Sequence, residues 1–179
     1  PDTSACYGTV DQMHMPLAFG CTIVPTDMAF LRVEVIPRII KHYNVNFLML
    51  NVVVMEALLR RGMMPDNYYS SLDIIALGGA YLSATDRKRY SNYLKRYGSR
   101  VGITNGYGLS EACGACVISP DGEDDDSIGY PLPGMYLLLK DENTGEYKTL
   151  EEGPCTGVLY VSSESVSCGK LDGETIFEH

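Results

Sequence analysis

The chain has no tryptophan, only 3 histidines among 179 residues, and too few cations to balance its anions: 14 Lys and Arg stand against 23 Asp and Glu. The resulting formal net charge of -9 repels a phosphate backbone. No basic cluster or basic-aromatic stripe reverses that average locally, so nucleic acid is not an expected partner. Long apolar runs are also missing: none reaches the roughly 18 residues that a bilayer span needs. The N-terminus carries no charged segment leading into a signal-peptide core, and the expectation is a cytoplasmic protein with no membrane span. There is no internal repeat and no long low-complexity tract. With 45% apolar and 21% charged residues, the composition is that of an ordinary folded protein.

A disulfide framework is absent as well. Cys6, Cys21, Cys113, Cys116, Cys155 and Cys168 are too dispersed for one, so reduced thiols are expected. Cys113-Gly-Ala-Cys116 has the spacing of a redox or zinc motif, yet no second close pair and no His stand beside it. The expected reading is two small buried residues at helical spacing.

What is present is an alternation of helical and strand-like stretches. Val10 to Phe19 has apolar positions at helical spacing and stops at Gly20, and Cys21 to Val24 reads as a short strand ended by Pro25. Pro37 suits a first helical turn; Val45 to Leu50 reads as a strand, Val53 to Arg61 as a helix closed by Gly62, and Leu72 to Leu77 as a buried strand. Ser83 with Asp86 forms a capping-box start for a polar helix that runs to Tyr97 and ends at Gly98. Val101 to Thr104 reads as a strand entering Asn105-Gly-Tyr-Gly108. Strands separated by helices of this length need crossover connections, so the predicted class is α/β, a mostly parallel sheet with helices on both faces.

From Met135 onward the pattern changes. Met135 to Lys140, Tyr147 to Leu150 and Gly157 to Ser162 are strand-like and joined by turn-rich segments, which predicts part of an antiparallel β subdomain. The interruption at Pro131-Leu-Pro-Gly134 places a boundary between an α/β unit, residues 1–133, and a β-rich unit, residues 134–179.

Ligands of an open parallel sheet sit beyond the carboxyl ends of its strands, where glycine lets them approach the backbone. Gly78-Gly79-Ala80 and Asn105-Gly106-Tyr107-Gly108 both follow predicted strands. For the first pair of glycines alone, tight turns are the favoured reading. The second segment says more: Tyr107 lies between glycines, where its ring has room to stack on a flat ligand, and Ser110 and Glu111 add a hydroxyl suited to phosphate and a carboxylate suited to Mg²⁺. The run Glu123 to Asp126 reads as a solvated loop, His14 as a packing residue, and Met13, Met15, Met63 and Met64 as core filling.

Asn105-Gly-Tyr-Gly-Leu-Ser-Glu111 resembles the Y-G-x-[ST]-E motif of the adenylate-forming superfamily, which includes acyl-CoA synthetases and peptide-synthetase adenylation domains. Gly78-Gly-Ala80, Ser127 to Gly134, Gly157 to Val161, Ser165 to Gly169, and Leu171 to Thr175 followed by Phe177 stand in that family's order. The resemblance implies a carboxylate-CoA ligase: a small carboxylic acid, ATP, Mg²⁺ and coenzyme A, with acyl-AMP as the intermediate. It implies that Tyr107 stacks on adenine, that Gly78, Gly79 and Ala80 frame the purine and part of the acyl pocket, and that Asn105, Gly106, Tyr107 and Gly108 form backbone wall near the reacting carboxylate. Ser110 would bond the α-phosphate and Glu111 would hold Mg²⁺. Leu109 favours the acyl-CoA branch, because peptide-synthetase domains usually carry Pro there; the alternatives are such a domain, or a non-catalytic nucleotide- or acyl-binding module. The chain departs from the family at Val158 and Lys170. The family's phosphate loop, ribose-binding Asp and C-terminal Lys are expected in missing N-terminal and C-terminal parts of the same enzyme.

Overall fold

The computed structural model describes residues 5–25, 33–62, 64–122, 125–149, 152–154, 156–172 and 175–178. Met63, Glu123, Asp124, Leu150, Cys155, Gly173, Glu174 and His179, named above, lie outside the described residues, as do the side chains of Lys170, Leu171, Asp172, Thr175 and Phe177. Among the described residues no helix is long and apolar enough to cross a membrane.

A five-stranded sheet carries the first part of the chain in the order β1-β2-β3-β4-β5, with β1 Phe47–Asn51, β2 Ile74–Gly78, β3 Thr104–Leu109, β4 Gly114–Ser119 and β5 Tyr130–Pro131. β1, β2 and β3 are parallel neighbours, and β4 and β5 continue antiparallel, so the sheet is mixed and, among the described residues, β1 is an edge. The crossovers are helical. α3, Val52–Arg60, joins β1 towards β2, and α4, Ala84–Arg96, joins β2 towards β3. α1, Met15–Ala18, and α2, Val35–Tyr43, precede β1, and α2 ends at Asn44 in the left-handed conformation. α3 starts where the Asn51 side chain accepts the Val54 N–H at 2.8 Å, and α4 starts at Ser83, whose hydroxyl accepts the Asp86 N–H at 3.1 Å.

The core follows from these faces. Ile36 and Ile40 of α2, Met55 and Leu58 of α3, and Tyr90 and Leu94 of α4 are buried in one cluster with Ile75 and Leu77 of β2. Ile74, on the opposite face of β2, is exposed. At its other end α4 buries a charge: Arg87 donates from Nε to the Ile103 carbonyl at 2.9 Å, from Nη1 to Ser119 Oγ at 2.7 Å and from Nη2 to the Ser119 carbonyl at 2.9 Å, with Pro120 O as a further acceptor. These four neutral acceptors tie the helix to β4 and to the chain entering β3.

A separate three-stranded antiparallel sheet has the order β7-β6-β8, with β6 Tyr136–Lys140, β7 Tyr147–Thr149 and β8 Val158–Ser162. β9, Gly169–Asp172, and β10, Thr175–Glu178, form an antiparallel pair. Leu137 and Val161 of the three-stranded sheet pack towards Ala112, Cys116 and Val117, which links this sheet to β4.

Four expectations are corrected. Cys21 to Val24 is not a strand, and Cys21 is exposed. The third strand of the parallel set starts at Thr104 and runs through the glycine-rich segment, where Gly108 admits the close backbone of β4. Cys113 and Cys116 do not share a helix: Cys113 is exposed at φ 62 and Cys116 is buried in β4. His14 is exposed rather than packed.

Candidate functional site

Parallel pairing sets Leu77 against Asn105, so the carboxyl end of β2 lies beside the first residues of β3, which runs on past it to Leu109. A Cβ built on Gly78 would lie 3.0 Å from the Gly106 carbonyl oxygen and 3.8 Å from the Tyr7 ring. Only glycine allows that approach without displacing backbone. Gly78, Asn105, Gly106 and Tyr107 are thereby brought together at the carboxyl end of β2, where exposed Gly79 and Ala80 continue the chain.

Tyr107 is half-buried, pairs with Val117 and packs against the Ala112, Cys116 and Val117 cluster. The expected open space around its ring is therefore occupied on one side by apolar neighbours. The register shifts between Tyr107 and Gly108, a bulge of the kind that re-aims a side chain beside a site. Gly108 is exposed. Ser110 and Glu111 follow on a single 3-10 turn, Ser110–Ala112, and both face solvent.

Residues that sequence reasoning did not single out complete this edge. The chain Tyr7–His14 is a π-helix that continues into the α-helical turn Met15–Ala18, and π-helical segments concentrate at functional sites. It bridges strand ends: the Tyr7 hydroxyl donates to the Leu50 carbonyl of β1 at 3.2 Å, and the Asp11 carboxylate accepts the Ala115 N–H of β4 at 3.2 Å. Gly114 lies at φ +123, and a Cβ there would stand 2.5 Å from Asp11 Oδ1. Burial pushes the Asp11 carboxyl up from its ordinary value, and the Ala115 N–H partly offsets this. Burial, followed by the nearby Asp11 charge, raises the Tyr7 phenol. The lone carboxylate of the helical stretch from Val10 to Phe19 was the available signal.

The loop after β2 is fastened from outside. The exposed Asp126 carboxylate accepts the Ala84 N–H at 2.7 Å and the Tyr81 hydroxyl at 3.3 Å. The acidic run, read as a solvated loop, thus supplies at its last residue a second cap for α4 and an anchor for Tyr81.

A family model described as AMP-binding enzyme matches residues 2–169. The nonribosomal peptide synthetase GRA1 of Gibberella zeae is 30% identical over 159 residues, which is 87% of this chain and 2% of that protein. Among solved structures, o-succinylbenzoate CoA synthetase (MenE) of Bacillus subtilis, bound to the acyl-adenylate intermediate OSB-AMP, superposes with a TM-score of 0.74. It is 16% identical, and the match covers 99% of this chain and 32% of that one. McyG A-PCP, complexed with phenylalanyl-adenylate, gives a TM-score of 0.76 at 16% identity, over 93% of this chain and 32% of that one. The chain therefore spans about a third of these solved relatives and a far smaller share of the synthetase.

Proposed function

We propose, given that this chain belongs to the AMP-binding enzyme family, that it forms part of the nucleotide and acyl site of an AMP-forming acid–thiol ligase. The observation that carries the reading is the meeting of Gly78, at the carboxyl end of β2, with Gly106 of the parallel neighbour β3, which leads directly into the Ser110–Glu111 turn. In this reading the Tyr107 ring takes adenine on its open side, while Gly78, Gly79, Ala80 and the Asn105–Gly108 backbone bound the purine and the reacting carboxylate. Ser110 donates to the α-phosphate of ATP.

Glu111 fits Mg²⁺ in a specific way. Among the described residues no three His, Cys, Asp or Glu side chains cluster as a metal cage. Mg²⁺ does not need one, since it keeps waters and takes phosphate oxygens beside one or two carboxylates. When bound, the metal supplies positive charge that offsets the charge of the phosphoryl centre. Glu111, exposed on the Ser110–Ala112 turn, would hold it.

For the acyl acceptor we propose coenzyme A, supported by Leu109 where peptide-synthetase domains usually carry Pro. A second reading, transfer to a carrier-protein thiol, is favoured by the identity with GRA1. We place the protein in the cytoplasm and its structural boundary between residues 133 and 134, in the stretch between β5 and β6.

The test is acid-dependent ATP–pyrophosphate exchange by the full-length gene product. Glu111→Gln is expected to lower the rate on the order of 100-fold while leaving adenine binding far less changed. Equal losses in both remove the metal role. The 179-residue chain alone is expected to show no exchange. Release of AMP on addition of coenzyme A, without any carrier protein, separates the two acceptors.

A further inference from the structure

The turn that bears Glu111 ends without a following helix, so its carbonyls need partners from elsewhere. The Ser110 carbonyl accepts the Cys113 N–H at 3.1 Å. The other two are met from the loop after β8, more than fifty residues away: the Ser167 N–H donates to the Glu111 carbonyl at 2.7 Å, and Ser165 Oγ donates to the Ala112 carbonyl at 3.2 Å.

Proton bookkeeping fixes the direction of the rest. Ser165 Oγ spends its one proton on Ala112, so in its 2.7 Å contact with Ser163 Oγ it must be the acceptor. Ser163 Oγ, having donated, accepts the Ser165 N–H at 3.0 Å. The result is a polarised relay that runs from the Ser165 N–H through two hydroxyls to the Ala112 carbonyl. Val166, between the two gripping serines, packs against the cluster that contains Ala112, Cys116 and Val117.

We infer that Ser165 is a positioning residue for the reaction: its hydroxyl, aided by Ser163 and by the Ser167 N–H, holds the Ser110–Ala112 turn so that Glu111 meets its ligand at a fixed height. Ser165 touches neither substrate nor metal and acts through Glu111. The inference rests on the metal role proposed for Glu111. It also gives the second sheet a part in the chemistry, because the gripping loop leaves directly from β8.

The experiment compares Ser165→Ala, Ser165→Thr, Ser163→Ala and Glu111→Gln in the full-length gene product. The readouts are ATP–pyrophosphate exchange over a range of Mg²⁺ concentrations and the thermal midpoint. Ser165→Ala is expected to lower kcat and raise the Mg²⁺ needed for half-maximal rate, with a combined effect on the order of 10–100-fold, the size found for outer partners of metal ligands. Ser165→Thr restores the hydroxyl and most of the rate; Ser163→Ala, which leaves the Ala112 bond in place, shows a smaller loss in the same direction. Unchanged exchange in Ser165→Ala, with Glu111→Gln inactive, overturns the inference alone. Unchanged exchange in Glu111→Gln overturns the reading beneath it. A loss in Ser165→Ala that follows the thermal midpoint and is not restored by Thr also overturns the inference. If Ser165→Ala does not fold, Ser163→Ala decides, and a Mg²⁺ dependence equal to that of the unmodified protein counts against the relay.

Discussion

Asp11 and Ala115 are 104 residues apart in sequence, and the buried carboxylate of the first accepts the backbone N–H of the second. Because the folded Asp11 carboxyl is raised by burial, the folded chain binds more protons than the unfolded chain between the ordinary carboxylate value and the raised one. Stability from this group therefore falls as pH rises through that window, and the cost is fully present above it. Asp11→Asn keeps an acceptor for Ala115 and removes the charge. Thermal midpoints from pH 3 to pH 8 are expected to favour the variant increasingly as pH rises, and a constant offset would count against the buried charge.

Tyr107 separates binding from packing. Tyr107→Ala is expected to cost about 1–3 kcal/mol of AMP binding if the ring stacks on the base, and Tyr107→Phe little. The half-buried ring also meets Ala112, Cys116 and Val117, so the Ala variant should lose stability too, by less than the roughly 3–5 kcal/mol of a fully buried aromatic. Affinity and melting measured together on the full-length protein check this. Unchanged AMP affinity in a folded Ala variant removes Tyr107 from the site.

Arg87 is the test of the buried charge. Its guanidinium satisfies acceptors on Ile103, Ser119 and Pro120. Arg87→Met leaves these inside without a donor and is expected to lower stability by about 3–5 kcal/mol in denaturant melts. Arg87→Lys should recover only part, since a point ammonium cannot reproduce the planar fork.

Asp126 and Tyr81 give an optical readout. The charge of Asp126 is the main reason that the Tyr81 phenol lies above its ordinary value. Asp126→Asn should bring it down towards that value in an ultraviolet titration of phenolate, measured against Tyr81→Phe. The variant should also weaken nucleotide binding, because the loop after Gly79 loses one fastening.

Local signals were the ones legible in the sequence. The Ser83–Asp86 capping pair, the Gly98 stop and the strands of the three-stranded sheet are each specified by residues a few positions apart, and the structure has them. β4 was hidden because Cys113 and Cys116 sit at helical spacing, and the strand exists only through its pairing with β3 and β5. At the site, the glycine-rich segments were visible as chemistry beside the parallel strands. Asp11 and Ser165 were not, since their partners lie 104 and 53 residues away, and a carboxylate on a helix or a serine in a loop does not by itself name a partner that distant.

β1 has a practical consequence for anyone preparing this chain. The strand reads Phe-Leu-Met-Leu-Asn, pairs only with β2 among the described residues, and carries no charge or proline along its outer side. Although the Tyr7 hydroxyl occupies the Leu50 carbonyl, such an edge strand invites another copy to dock as a next strand. The 179-residue polypeptide is therefore expected to sediment as a concentration-dependent mixture, and a lysine placed at Met49 should return it to monomer.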